Sequence, residues 1–355
     1  MKKTYIIAEA GVNHNGSFEM AKQLVDVAKE VGADAVKFQT FKAENLVTKS
    51  AKQADYQVEN LKEATSQFEM LKKLELSFEE FTALQQYCAD KGIEFLSTPF
   101  DYESVDFLLD ELQIKTAKIP SGELTNAPFI YAIAKKKKPI ILSTGMATIE
   151  DIHEALSYIS FGLANKTEMD QVSAFYKTSA AKQLLQKYVT ILHCTTEYPA
   201  PFDTINLKAM ATLQQEFNVS VGLSDHSSGV AVSTAAVALG ASVIEKHFTL
   251  DKTLEGPDHI ASLEPNELKE MVKQIRQVEQ ALGNGMKQPS EVELKNRIPA
   301  RKSLVAAKAI QQGEIFSEAN LVVKRPGSGI APSNYWNYLG KPAQKSYEQD
   351  ELIDE

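Results

Sequence analysis

Eight short apolar, β-branched runs, each followed by an amphipathic segment at a fairly regular interval, predict an α/β protein built as a (β/α)8 (TIM) barrel. A turn-rich stretch after Leu282, Gly283-Asn-Gly-Met-Lys-Gln-Pro-Ser-Glu, and a change of character beyond it predict a second, small, β-rich domain. The chain of 355 residues is long enough for both. The boundaries read as 1–283 for the barrel, 284–298 for a linker and 299–355 for the small domain.

In chain order, strands are expected at Tyr5–Glu9, Ala35–Gln39, Glu94–Thr98, Thr116–Ile119, Pro139–Ser143, Val189–His193, Val219–Ser224 and Ser242–Lys246. Helices are expected between and after them at Phe18–Val31, Phe78–Lys91, Ser104–Glu111, Pro128–Lys135, Ile149–Ile159, Leu207–Glu216, Gly229–Leu239 and Pro265–Leu282. Ser77-x-x-Glu80 and Thr148-x-x-Asp151 are capping-box patterns, which satisfy the free amides of a first helical turn. Two stretches break the rhythm. Residues 40–76 read as a long polar connection on the catalytic side, because they leave the C-terminal end of a strand; 160–188 read as a partly helical excursion toward the opposite rim. In the small domain, Ser303–Ala307, Leu321–Lys324 and Ala343–Lys345 read as strands.

The formal charge of −9 and the absence of a long basic run beyond Lys135–Lys138 give no electrostatic basis for nucleic-acid binding. No apolar stretch reaches 18 residues, so no membrane span is expected. Cys88 and Cys194 lie far apart, without metal-type spacing, which suits a reducing compartment and makes the cytoplasm the expected location.

In a barrel the C-terminal strand ends face the active site, and every strand here ends in polar residues. Lys37, Lys118, Thr98, Ser121 and Ser143 make a positive, hydroxyl-rich ring able to hold a phosphate or carboxylate, unless the lysines merely pair with Glu9 or Glu245. His226 and His247 sit just beyond neighbouring strands. Two imidazoles placed so can share a divalent ion and leave positions open, which suits Mn²⁺ or a similar ion better than a closed zinc site. Glu9, Glu123, Glu245 and Asp258 are candidates for proton transfer or hydroxyl binding. Asp258 lies in a Gly-Pro-Asp-His turn, with His259 expected to support it.

Ile7-Ala-Glu-Ala-Gly-Val-Asn-His-Asn-Gly16, Val36-Lys-Phe-Gln-Thr40, Lys118-Ile-Pro-Ser-Gly-Glu123, Leu192-His-Cys-Thr-Thr-Glu-Tyr-Pro199, Gly222-Leu-Ser-Asp-His226, Glu245-Lys-His-Phe248, Gly256-Pro-Asp258 and Lys324-Arg-Pro-Gly327 resemble motifs of the bacterial sialic acid synthases. The likeness runs from about residue 5 to the C-terminus. It implies a barrel followed by an antifreeze-protein-like (SAF) domain, and condensation of phosphoenolpyruvate with an N-acylated mannosamine-type sugar, phosphate leaving by C–O cleavage. It also implies a homodimer in which the small domain of one subunit closes the partner's barrel. Carried over position by position, His226 and His247 match the metal ligands. Lys37, Thr98, Lys118, Ser121, Ser143 and Ser224 match the phosphoenolpyruvate site. Gln39, Tyr198, Asp258 and Arg325 match the sugar site, Arg325 coming from the partner. Glu9 and Glu245 match carboxylates beside the reacting atoms. In 40–76, Asn60 or Tyr56 is expected to reach the site.

N-acetylmannosamine, giving N-acetylneuraminate, is the first expected sugar, since 160–188 and Lys324–Ile330 look closer to the N-acetylneuraminate type. The alternative is a 2,4-diacetamido-2,4,6-trideoxymannose, giving N,N′-diacetyllegionaminate. A Schiff-base aldolase using Lys118 or Lys246 is the rival reaction class.

Overall fold

The structure, a computed structural model, describes residues 3–61 and 65–354; the side chains of Asp55, Tyr56 and Glu59 lie outside that description. Eight strands follow one another as β1 (Tyr5–Gly11), β2 (Ala35–Thr40), β3 (Glu94–Pro99), β4 (Ala117–Ile119), β5 (Ile140–Ser143), β6 (Val189–Cys194), β7 (Ser220–Asp225) and β8 (Val243–His247). All pair in parallel, in the order β3-β2-β1-β8-β7-β6-β5-β4. The joining of β1 to β8 turns an open sheet into a nearly closed barrel. Each strand lies within two residues of its expected place. The helices agree as well with two exceptions: Ile149–Ile159 runs four residues further, to Leu163, and Ser104–Glu111 divides into a short α-helix, Tyr102–Asp106, and a π turn, Phe107–Glu111. Both capping boxes form: Ser77 and Thr148 each accept from an amide three residues on, and Glu80 and Asp151 reach back.

Period-two alternation explains how the barrel makes a site. Ile7, Ala35, Leu96, Ile141, Leu192 and Val243 point inward and form one apolar layer. Two residues further along those same strands stand Glu9, Lys37, Thr98, Ser143, Cys194 and Glu245, so the next inward layer is polar and buried. The outer faces of the strands meet the helices in a large second core that includes Ile6, Phe38, Phe129 and Ile244.

The 40–76 connection is not the polar strand-to-helix link its composition suggested. It folds into three short helices, Ala43–Leu46, Asp55–Leu61 and Gln67–Leu74, and Phe41, Met70 and Leu74 join Val12 in a small core of their own. Residues 160–188 complete the long helix Ile149–Leu163 and add helices Val172–Tyr176 and Ser179–Tyr188. Among the described residues, no helix is long and apolar enough to cross a membrane.

The chain divides into two units, Met1–Gly283 and Asn284–Glu355. The second begins with a turn-rich segment and a helix, Glu291–Ala300, where only a linker was expected. Its strands β9 (Ser303–Ala306) and β10 (Leu321–Lys324) pair antiparallel around Leu304, Ile310, Phe316, Tyr347 and Ile353. Residues 343–345 form no strand. The chain there is tied by single bridges instead, Ile315 to Pro342 and Ile310 to Tyr347.

Candidate active site

Where the strands end, register brings the functional residues side by side. Glu9 lies next to Lys37 on one side and His247 on the other, Gln39 next to Thr98, and Ser224 next to Glu245. Gly11, at a φ of +54°, turns the chain out of β1 through a gap where a Cβ would touch Glu9, Gln39 and His247 together. Gly145 is needed for close approach: a Cβ there would lie 2.1 Å from Thr196 Oγ1. Its amide donates to Ser121 Oγ at 2.9 Å, which fixes the Ser121 turn against the end of β5.

These residues surround a cavity of about 340 Å³, within the usual range for small-molecule sites. Glu9, Lys37, Gln39, Thr98, Lys118, Ser121, Ser143, Tyr198, Ser224, His226, Glu245, His247 and Asp258 all line it, and so does Glu123. Arg325 belongs to the second unit, where its Nε donates to the Ala300 carbonyl. Asn60 does not line the cavity: its amide donates to the Pro257 carbonyl at 2.7 Å, steadying the turn that carries Asp258. The Tyr56 side chain lies outside the described residues. Sequence reasoning missed the apolar lining, Phe41, Leu46, Val47, Met70, Leu71 and Leu74, and the thiol of Cys194.

The floor is a dense charge network. Lys37 Nζ lies 2.6 Å from Glu9 and 3.5 Å from Glu245 and donates to Thr98 Oγ1 at 3.0 Å. Lys118 donates to Ser143 Oγ at 2.7 Å and lies 3.8 Å from Glu245, which accepts from Ser224 Oγ at 2.8 Å. The lysines therefore pair with carboxylates and face the cavity at once. The two carboxyl groups are driven apart. Burial pushes Glu9 up, and Lys37 only partly offsets it. Burial would raise Glu245 too, but Lys118, Lys37 and the Ser224 hydroxyl outweigh it and hold it down as a carboxylate. Burial likewise lowers Lys118 and raises Asp258 to about 6. Glu9, the carboxyl pushed toward its neutral form, leaves Lys37 and Lys118 less fully matched by negative charge than two ionised carboxylates would, which favours an anion on this floor.

The imidazoles of His226 and His247 lie 5.5 Å apart, centre to centre, with the Tyr198 ring 4.1 Å from the first. His226 Nδ1 is 2.7 Å from the Thr195 carbonyl, so it carries the proton and Nε2 keeps its lone pair, 3.4 Å from Ser224 Oγ. His247 Nδ1 is buried without a hydrogen-bond partner, and burial, then the neighbouring His226, keeps this ring neutral. His226 is raised despite its burial, chiefly by Cys194, whose sulfur lies 3.8 Å from Nδ1, and by the Thr195 carbonyl, so a divalent ion, which binds the neutral ring, would displace a proton there. No group of three or more His, Cys, Asp or Glu among the described residues is arranged to hold a metal. The two imidazoles alone would fill only part of a divalent ion's coordination shell, leaving the rest to water or substrate.

Behind the imidazoles, Asp225 and Lys246 face each other in register on the outer side of β7 and β8, 3.2 Å apart and fully buried. Asp225 also accepts from Ser227 and Ser233. Lys246 is turned away from the cavity, which removes it as a Schiff-base candidate; Lys118 does line the cavity. His259 bridges Thr249 Oγ1 and Asn15 Oδ1 and supports the 256–258 turn as expected.

The NeuB family profile matches residues 24–287, and the SAF domain profile matches 301–355. An N,N′-diacetyllegionaminic acid synthase of Campylobacter jejuni is 53% identical over the full length of both chains. A protein of the same name from Legionella pneumophila is 48% identical over 95% of this chain and 89% of its own. Among solved structures, the N-acetylneuraminic acid (sialic acid) synthetase of Leptospira borgpetersenii, in complex with citrate, aligns with a TM-score of 0.67 and 30% identity, covering 83% of this chain and 90% of that one.

Proposed function

The chain belongs to the NeuB family, and on that premise we propose that it joins phosphoenolpyruvate to an N-acylated amino sugar, 2,4-diacetamido-2,4,6-trideoxymannose, giving N,N′-diacetyllegionaminate and phosphate. The order of the two sugars is thereby reversed from the sequence reading. Relatives named for N,N′-diacetyllegionaminate are 53% and 48% identical, whereas the sialic acid synthetase structure is 30% identical. The observation that carries the reading is one cavity in which a buried Lys37–Lys118–hydroxyl floor adjoins the imidazoles of His226 and His247.

In this reading Lys37, Lys118 and the hydroxyls of Thr98, Ser121, Ser143 and Ser224 hold the phosphate and carboxylate of phosphoenolpyruvate by charge-assisted hydrogen bonds. That fixes its C3 toward the open-chain aldehyde of the sugar. Gln39, Tyr198 and Asp258 hold the sugar. C3 forms the new bond to the aldehyde carbon, water adds at C2, and the C2–O bond to phosphate breaks. Glu9, raised toward neutrality, gives or takes the proton, while Glu245 stays ionised and stabilises positive charge growing at C2. His226 and His247 are the groups that hold a divalent ion, with Mn²⁺ the first candidate. Such an ion supplies Lewis-acid polarisation of the aldehyde oxygen. No enzyme nucleophile is required.

The subunit arrangement is proposed as a homodimer, with Arg325 reaching the partner's sugar site. Mixing inactive Arg325→Ala and His247→Ala subunits then restores activity, since one site of the heterodimer is whole; no recovery would sink the arrangement. The activity itself is tested by phosphate release from phosphoenolpyruvate with Mn²⁺ and N-acetylmannosamine, its 6-phosphate or 2,4-diacetamido-2,4,6-trideoxymannose. Turnover of the last above the others is the expected result. Labelling by borohydride in the presence of pyruvate would point to the Schiff-base class instead.

A further inference from the structure

The cavity has two unlike sides. Strand ends build its charged floor, and the 40–76 connection, rising from the end of β2, adds Phe41, Leu46, Val47, Met70, Leu71 and Leu74. Met70 and Leu74 are buried members of a small core with Phe41 and Val12, against which Leu46 and Leu71 pack half-buried. The apolar side is therefore backed by its own packing. Gln57 and Gln67, which also line the cavity, are the polar groups this connection contributes.

A sugar reacting at C1 has its aldehyde at the floor, beside the imidazoles, so C4 to C6 extend away from the strand ends toward the connection. A hydroxyl pressed on that surface loses its water without gaining a partner, whereas a methyl gains contact. Amide groups among apolar side chains match an acetamido group, which is an amide ending in a methyl. Resting on the reading above, we propose that the apolar surface of the 40–76 connection selects the sugar: it receives the C6 methyl and the C4 acetamido methyl of a 2,4-diacetamido-2,4,6-trideoxy sugar. It disfavours a sugar with hydroxyls at those positions.

An apolar surface rejects an added hydroxyl only moderately, so the expected preference in kcat/KM is roughly 10–100-fold over N-acetylmannosamine. The test measures phosphate release by the full chain with each sugar, for Leu46→Gln, Leu71→Gln and the near-isosteric Val47→Thr, with Leu71→Met as the conservative variant. Leu46→Gln and Leu71→Gln should each cut the preference by about 5-fold or more, through KM for the diacetamido sugar, with KM for phosphoenolpyruvate and Tm held; Leu71→Met should keep it. Val47→Thr guards against misfolding, because it changes polarity with little change of shape, and should lower the preference in the same direction. Unchanged preference in all three polar variants overturns the proposal. Equal use of both sugars by the wild type overturns it as well, leaving the condensing activity intact. No phosphate release with any sugar removes the underlying reading, and the proposal with it.

Discussion

The floor and the wall of the cavity are held by opposite means. Lys37, Lys118, Glu9 and Glu245 are almost wholly buried, and each is fixed by paired strands and by the others' charges. The wall rides on helices of four and eight residues, lengths too short to persist alone in water, and is ordered by a local apolar cluster. The floor is thus suited to chemistry that tolerates no displacement. The wall's order rests on packing within the connection and against the turn after β1, not on the strand pairing that fixes the floor.

The sharpest way to break this comparison is to remove an imidazole. His226→Ala or His247→Ala leaves a single nitrogen donor, and turnover should fall by more than about 1,000-fold, near 4 kcal/mol. Metal affinity measured by calorimetry should fall with it. Near-normal, chelator-insensitive turnover in both variants would detach the floor from any metal.

Next in size is the pair that joins β7 to β8 behind those imidazoles. Lys246→Met leaves Asp225 buried without its cation, a loss of about 3–5 kcal/mol in urea unfolding. Because Ser227 and Ser233 still donate to Asp225, the lower end is expected. A change under about 1 kcal/mol would mean that the strand ends are held by packing rather than by charge.

The two sides of the cavity also differed in how readily they could be read in advance. Strand ends announce themselves: Ile7 to Glu9 or Val243 to Glu245 is a two-residue step from an apolar to a polar inward position, and the βα rhythm supplies the register. In the wall, Leu46, Met70 and Leu74 are spread over a mostly polar segment with no single period, and what unites them is tertiary contact. Asn60 was expected to reach the site and instead holds the Pro257 carbonyl beside it, since a side chain's partner cannot be read from its neighbours in sequence. The outward turn of Lys246 was legible in principle: it stands between inward Glu245 and His247.

Lys37→Ala and Lys118→Ala probe the floor as an anion site. Each should raise KM for phosphoenolpyruvate by about 10–150-fold, the 1.5–3 kcal/mol of a hydrogen bond to a charged group, with a smaller effect on kcat. KM for the sugar should hardly move. If the sugar KM rises instead while that for phosphoenolpyruvate stays, the assignment of floor and wall must be exchanged.

The smallest effect lies at the seam, where the end of β1 carries Glu9 of the floor and the turn after it carries Val12, packed against the wall. His14 in that turn is fully buried against Phe38, its Nδ1 accepts from the Gly16 amide, and its Nε2 has no partner. Burial, with His259 nearby, lowers it to about 4. Below pH 6.5 the unfolded chain takes up a proton that the folded chain refuses until about pH 4. The stability this neutral ring contributes is complete above pH 6.5 and is lost as pH falls toward 4, at up to about 1.4 kcal/mol per pH unit. His14→Gln keeps a polar side chain without the titration, so its urea-unfolding free energy should fall less steeply than the wild type's between pH 6.5 and 5. Raised carboxyl groups such as Asp258 titrate with the opposite sign in both proteins and cancel in that difference. Parallel curves for the two proteins would show that His14 already shares a proton in the folded chain, and the seam would then belong with the charged floor.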